Sequence, residues 1–188
     1  MHRRNGAEQD FATTLARLRA GDESAFDHVY ASLAPAVTGL FRMQGAAEPE
    51  DLTSEVFVGV LRNLGRFDGD ERAFRSWVFT IAYRRLADER RRQVRRPAPA
   101  PLDGRADAPG PVDVAAEVER ALATERVCSL CERLVPSQRD VLLLRLVGQL
   151  TIEEVARAMG RSMNAVKALQ RRGLASIGRL IQQERATL

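Results

Sequence analysis

The stretch Thr151 to Ile177, TIEEVARAMGRSMNAVKALQRRGLASI, constrains this chain more than any other. Ile152, Val155, Ala156 and Met159 recur at helical spacing and predict a short amphipathic helix. Gly160 ends it by supplying the positive φ of a tight turn, and Ser162 is placed to cap a second helix. Val166, Leu169, Leu174 and Ile177 are expected to return an apolar face to the first helix, and small Ala156 lets the two helices cross closely. This is the pattern of a helix-turn-helix, whose second helix enters a DNA major groove. Asn164, Lys167, Gln170 and Arg171 fall on or near its outward side as candidate base readers. Arg161, Arg172 and Arg179 are better placed as phosphate clamps. The competing reading is a helical hairpin with a solvated basic face.

Composition narrows the class. Of 188 residues, 45% are hydrophobic and only 5% aromatic, with Ala, Leu and Val dominant, which favours an all-α protein with one or two small cores. The net charge of +4 admits a polyanion partner without requiring one. No apolar run is long enough for a membrane helix, so direct membrane insertion is not expected. The N-terminus MHRRNGAEQD lacks the apolar core of a signal peptide. Cys128 and Cys131 fit a reducing cytoplasm as thiols. As a CxxC they also admit zinc or redox chemistry, but there is no second pair, and His2 and His28 are distant in sequence. Two helical thiols near a core are the simpler reading, and His28, between core positions of a helix, is expected to be structural. No phosphate-cradling glycine loop, HExxH or acid/base pair of carboxylates occurs, so neither an enzyme nor a cofactor is expected.

Pro97 to Val112, PAPAPLDGRADAPGPV, holds five prolines and almost no large apolar residue. It reads as a linker that can span up to about 50 Å at ~3.1 Å per residue. The expected division is therefore a helical domain over 8–96, a linker over 97–113 and a helical domain over 114–184 containing the helix-turn-helix. In the first domain Asp22 is placed to cap a helix that Pro35 should kink or split. Pro49 suits the first turn of the next helix, whose core face is expected to hold Leu52, Val56, Phe57, Val60, Leu61 and Leu64. Gly65 to Asp70 reads as a turn, and a long helix follows from about Arg72 to Arg95. In the second domain a helix is expected from Val114 to Leu134, and Pro136 starts another with Val141, Leu142, Leu144, Leu146 and Val147 in its core.

Two further segments carry functional signals. FRSWVFTIAYRRLADERRRQVRR sets the aromatics Phe74, Trp77, Phe79 and Tyr83 ahead of Arg84, Arg85, Arg90, Arg91, Arg92, Arg95 and Arg96. Aromatic faces beside a cationic track suit a single-stranded or partly melted nucleic acid, each stacked base contributing about 1–3 kcal/mol. For Phe74 and Trp77, core packing is the stronger reading. In EPEDLTSEVFVGVLRNLGRFD, Glu48, Glu50, Asp51 and Glu55 crowd a helix start, where acidic groups complement the helix dipole. Alternatively Asp51, Glu55, Val58 and Arg62 present an outer face to a protein partner.

Taken together, EDLTSEVFVGVLRNLGRFD, FRSWVFTIAYRRLADERRR and LVPSQRDVLLLRLVGQLTIEEVARAMGRSMNAVKALQRRGLASI resemble, in this order, the extracytoplasmic-function (ECF) sigma factors of bacterial RNA polymerase, of the sigma-70 family. The resemblance covers about residues 20–96 and 114–181. It implies a transcription initiation factor whose partners are core RNA polymerase, promoter DNA and a cognate anti-sigma factor, which is often membrane-anchored. Asp51, Glu55, Val58 and Arg62 would face the polymerase. The turn Phe67 to Arg72, including Asp68, would capture a flipped −10 base. Phe74, Trp77, Tyr83, Arg84, Arg85 and Arg91 would complete the −10 and melting surface. Arg161, Ser162, Asn164, Lys167, Gln170, Arg171 and Arg172 would read or clamp the −35 duplex. The chain departs from the family's frequent VKSRLHRARK: Leu169 replaces an arginine, Gln170 stands where an apolar residue is usual, and Gly173 lies inside the helix. An autonomous helix-turn-helix regulator acting on duplex DNA is the alternative, and it leaves the aromatic-arginine and acidic helices without a task.

Overall fold

The computed structural model describes residues 2–95 and 129–186, with side chains over 10–93 and 129–186. The expected linker, most of the helix from Val114, Cys128, Arg96 and the Arg95 side chain lie outside the described residues. Helices account for nearly all of the rest: α1 (His2–Arg19), α2 (Glu23–Met43), α3 (Pro49–Asn63), α4 (Glu71–Arg95), α5 (Pro136–Leu146), α6 (Ile152–Met159) and α7 (Met163–Ala186). A 3-10 turn, Leu64–Arg66, joins α3 to the loop before α4, and residues 129–132 are helical ahead of α5. No strand occurs among the described residues.

Local chemistry sets the helix ends. The Asp22 carboxylate accepts from the backbone N–H of Ser24 and Ala25 and starts α2. Arg17 and Ser24 donate to that carboxylate and hold its pKa near 2, well under the ordinary 3.8. Pro49 occupies the first turn of α3, and Asp70 accepts from the Ala73 N–H at 2.7 Å at the start of α4. α2 runs unbroken through Pro35. The proline removes the bond to the Ala31 carbonyl, but Ala31 is exposed, where solvent can satisfy it, while buried Leu33, Ala34 and Val37 hold both halves against the core.

Packing follows the periodicity, with four corrections. Phe41, Phe57, Phe74, Val56, Val60 and Val78 are fully buried where α2, α3 and α4 meet, each worth about 1.5–3 kcal/mol for a large apolar side chain. Leu61 is 44% exposed, because one turn beyond Val58 it falls on the outer side of α3. Leu146 is 67% exposed, and buried Leu143 takes the core place next to it. Leu174 is half-exposed; its expected role in closing the α7 face goes to Gly173. His28 is exposed on α2 rather than structural.

Candidate nucleic-acid interface

The helix-turn-helix is built on α6 and α7. Thr151 and Glu154 form a reciprocal capping box on α6: the Thr151 hydroxyl accepts from the Glu154 N–H, and the Glu154 carboxylate accepts from the Thr151 N–H. Burial opposes ionisation of Glu154, but these donors and Arg72 outweigh it and hold its carboxyl below the usual carboxylate range. Gly160 ends α6 at φ 62°, in the left-handed region that a side chain would strain. The Ser162 hydroxyl then accepts from the Ala165 N–H at 3.2 Å and starts α7.

Val166, Leu169 and Gly173 are the buried positions of α7. With Leu169 inward, Asn164, Lys167 and Arg171 line up outward at i, i+3 and i+7 as one exposed stripe. None of the three forms a side-chain hydrogen bond or ion pair among the described residues. Gln170 is half-buried at the edge of the stripe. Arg172 is exposed beside it with its Nε donating to the Ala168 carbonyl at 3.3 Å, and Arg161 and Ser162 are exposed at the entry to the helix. Gly173 is explained by a close crossing: a Cβ there would sit 2.9 Å from Leu142 Cδ1 and 3.3 Å from Gln138 Cβ, both on α5.

On α4 and the loop before it, the aromatics are shared between packing and surface. Phe67 stacks on Trp77 with ring centroids 5.0 Å apart and meets Phe74 edge-on at 5.2 Å. Phe74 is only 2% exposed and serves the core, whereas Trp77 is half-buried. Arg19 reaches across from α1 to donate to the Phe67 carbonyl, which fixes the loop, and Asp68 next to it is exposed. Asn63, Arg66, Phe67, Trp77, Ile81 and Arg84 line an open cavity of about 270 Å³. Arg84 is exposed and without a side-chain partner among the described residues. Arg91 pairs with Asp88 at 2.6 Å. The residues of this cavity contributed by the 3-10 turn and its flank, Arg66 and Asn63, escaped the sequence reading because no periodicity relates them to Trp77.

Other members of the expected −10 set face elsewhere. Arg72 pairs with Glu154 at 3.3 Å, and the Tyr83 hydroxyl lies 3.4 Å from Asp140, so both touch the helix-turn-helix domain. Burial, followed by the Asp140 charge, pushes the Tyr83 hydroxyl up to about 12. Arg85 pairs with Glu55 at 3.3 Å, which ties the expected melting surface to α3. On α3 itself Asp51, Glu55, Val58 and Arg62 are all exposed along one face, and Leu61 joins them as a second exposed apolar side chain.

No helix among the described residues is long and apolar enough to cross a membrane. No group of three or more His, Cys, Asp or Glu side chains there could hold a metal. Cys131 is buried, and its CxxC partner lies outside the described residues.

An all-helical chain with a capped helix-turn-helix and an aromatic-arginine helix defines a class that family comparison makes specific. Residues 29–96 match the family model for sigma-70 region 2, and residues 129–177 match that for sigma-70 region 4. The chain is 32% identical over 191 aligned positions to the ECF RNA polymerase sigma factor BldN of Streptomyces coelicolor, covering 97% of this chain and 71% of the relative. Among solved structures, CnrH in complex with the cytosolic domain of CnrY superposes with a TM-score of 0.65 at 24% identity, covering 92% of this chain and 97% of that one. RpoE of Bartonella quintana, in complex with the anti-sigma factor NepR, superposes with a TM-score of 0.61 at 15% identity over 84% of this chain and 96% of that one. The chain belongs to the ECF sigma factors of the sigma-70 family. It is an RNA polymerase sigma factor that directs promoter-specific transcription initiation, a regulatory rather than a catalytic role.

Proposed function

We propose that the division of labour within this sigma factor follows the two helical units. Residues 8–96 bind core polymerase and read and melt the −10 element, 97–113 form the linker, and 114–184 read the −35 element. The outward stripe of Asn164, Lys167 and Arg171 carries the reading, since its side chains are exposed and unpartnered among the described residues on the second helix of a capped helix-turn-helix. Gln170 flanks that stripe, while Arg161, Ser162 and Arg172 supply backbone contacts at its ends. Trp77 and Arg84 at the open cavity receive the unpaired −10 strand, beside Asp68 and the Arg19-anchored loop. Asp51, Glu55, Val58 and Arg62, with Leu61 added, face the polymerase as a mixed charged and apolar surface.

A cognate anti-sigma factor is part of this reading, supported by the complex of the similar RpoE with NepR. The protein works in the cytoplasm, at the nucleoid when bound to polymerase. The test is transcription in vitro with core polymerase on a promoter library. New start sites preceded by paired −10 and −35 elements are expected. No start site above that of core enzyme alone would remove the proposal.

A further inference from the structure

Two open cavities meet at Arg66 and Phe67. The smaller, with Trp77, Ile81 and Arg84 of α4 on its wall, is the one proposed above to receive the −10 strand. The larger, of about 660 Å³, lies between the end of α1 and the end of α3. Leu18, Leu61 and Leu64 give it an apolar lining, and Arg19, Arg66 and Asp68 supply its polar groups. Apolar walls with a few polar groups, in a volume of ~300–1,000 Å³, are the usual make-up of a small-ligand site.

The polar groups of the larger cavity are free to bind. Arg66 and Asp68 are exposed and form no side-chain hydrogen bond or ion pair among the described residues. Arg19 donates from Nη2 to the Phe67 carbonyl, and a guanidinium carries five N–H groups, so most of its donors stay open. None of Asp51, Glu55, Val58 and Arg62, the expected polymerase face, lines the cavity. Two cations against one carboxylate favour an anionic ligand, and leucine walls suit the face of a base. A carboxylate accepts from the exocyclic amino group of a base. Thymine has no such group, and its one ring N–H is flanked by two carbonyl oxygens that repel a carboxylate. The chemistry present is therefore that of a nucleotide site with a base preference.

We propose that the larger cavity is a second nucleotide site. It takes an unpaired base of the melted −10 strand, next to the base held at Trp77, and selects an amino-bearing base over thymine through Asp68. This rests on the proposed role of the Trp77 cavity, with which it shares a wall. Arg66 borders both cavities and holds the phosphate between the two bases. Arg19 fixes that wall through the Phe67 carbonyl and adds charge at the rim. Leu18 and Arg19 belong to α1, ahead of the residues 29–96 matched to region 2, so α1 becomes part of the promoter-binding surface.

Run-off transcription by core polymerase with the full chain, on promoters randomised across the −10 strand, reads base preference position by position. The wild-type protein should show two neighbouring positions of preference, the second disfavouring thymine about tenfold. Asp68→Ala should reduce that second preference to within about twofold and leave the first. A Cβ on Gly65 would meet nothing within 4 Å, and its φ is not left-handed, so Gly65→Phe can fill the larger cavity from its wall. It should erase the same preference as Asp68→Ala. If Gly65→Phe lowers the melting temperature, Asp68→Ala, at an exposed position, decides alone. Arg84→Ala should alter the first preference only. A single position of preference, altered by Asp68→Ala and Arg84→Ala alike, overturns the second site. So does a second preference that survives Asp68→Ala. Weaker binding of Gly65→Phe to core polymerase with both preferences intact gives the cavity to a polymerase side chain and also overturns it. If Asp68→Ala erases a preference while Arg84→Ala alters none, the role of the Trp77 cavity falls and the two-site arrangement with it. Failure of the sigma reading itself would show differently, as no promoter-dependent initiation by any of these proteins.

Discussion

α7 and α4 are the two long helices assigned to promoter contact, and they use their surfaces in opposite ways. On α7 the inward positions Val166, Leu169 and Gly173 satisfy the fold, and the outward Asn164, Lys167 and Arg171 answer to nothing else among the described residues. On α4 almost every candidate has a second duty: Arg72 pairs with Glu154, Tyr83 approaches Asp140, Arg85 pairs with Glu55, and Phe74 is core. A reading helix with idle outward side chains is preorganised, since contact with DNA breaks no internal bond. A helix whose side chains are engaged must exchange partners, so its contacts yield less net affinity and are open to regulation.

The largest effect tests the idle stripe. Replacing Lys167 and Arg171 with alanine should remove −35-dependent initiation, since each good base-reading pair supplies about 1–3 kcal/mol, while binding to core polymerase is retained. Run-off transcription from promoters with and without a −35 element reads this, and undiminished initiation would break the contrast at its stronger side.

The packing side of α7 comes next. Gly173→Leu should destabilise the protein by about 1–3 kcal/mol through overpacking. Gly173→Ala should be nearly neutral, because about 1 kcal/mol of helix propensity offsets a smaller clash with Leu142. Thermal melting of the two variants checks the pair, and equal melting temperatures would mean that the α5–α7 approach is looser than it stands here.

A smaller change is expected on α4. Arg84→Ala should weaken open-complex formation a few-fold and lower the slope of log affinity against log salt by about 0.9 if Arg84 neutralises one phosphate. An unchanged slope would place Arg84 outside the strand path. Weakest of all is the Asp22 cap. Its folded pKa of about 2 lies below the ordinary value of 3.8, so its contribution is present above pH 4 and fades as pH falls towards 2. Asp22→Asn should therefore flatten the acid side of the melting-temperature profile, and an identical profile would show that the corner between α1 and α2 does not depend on that charge.

Much of this was legible in advance because it is local. The capping of α6, the left-handed turn at Gly160 and the start of α7 at Ser162 each depend on residues within four positions of one another. The errors have a common source. Leu61, Leu146 and Leu174 are apolar and sit near core positions, and helical spacing leaves such edge residues undecided by one step. Gly173 reads as a weak point in a helix and proves to be the place where α5 comes closest. Its neighbour Leu169 supplies the burial that family resemblance would put at Gln170, and that shift selects which side chains face outward.

By itself the sequence determined the helical class, the helix ends, the helix-turn-helix and the sigma-factor family. Those follow from periodicity, capping and motif order, which are short-range properties of the chain. Only the tertiary structure decided which arginines are already engaged and which are idle. It also brought Gln44 to Asp140 across 96 positions of sequence. A buried carboxylate draws donors from whatever packs against it, so no spacing rule could name its partners beforehand.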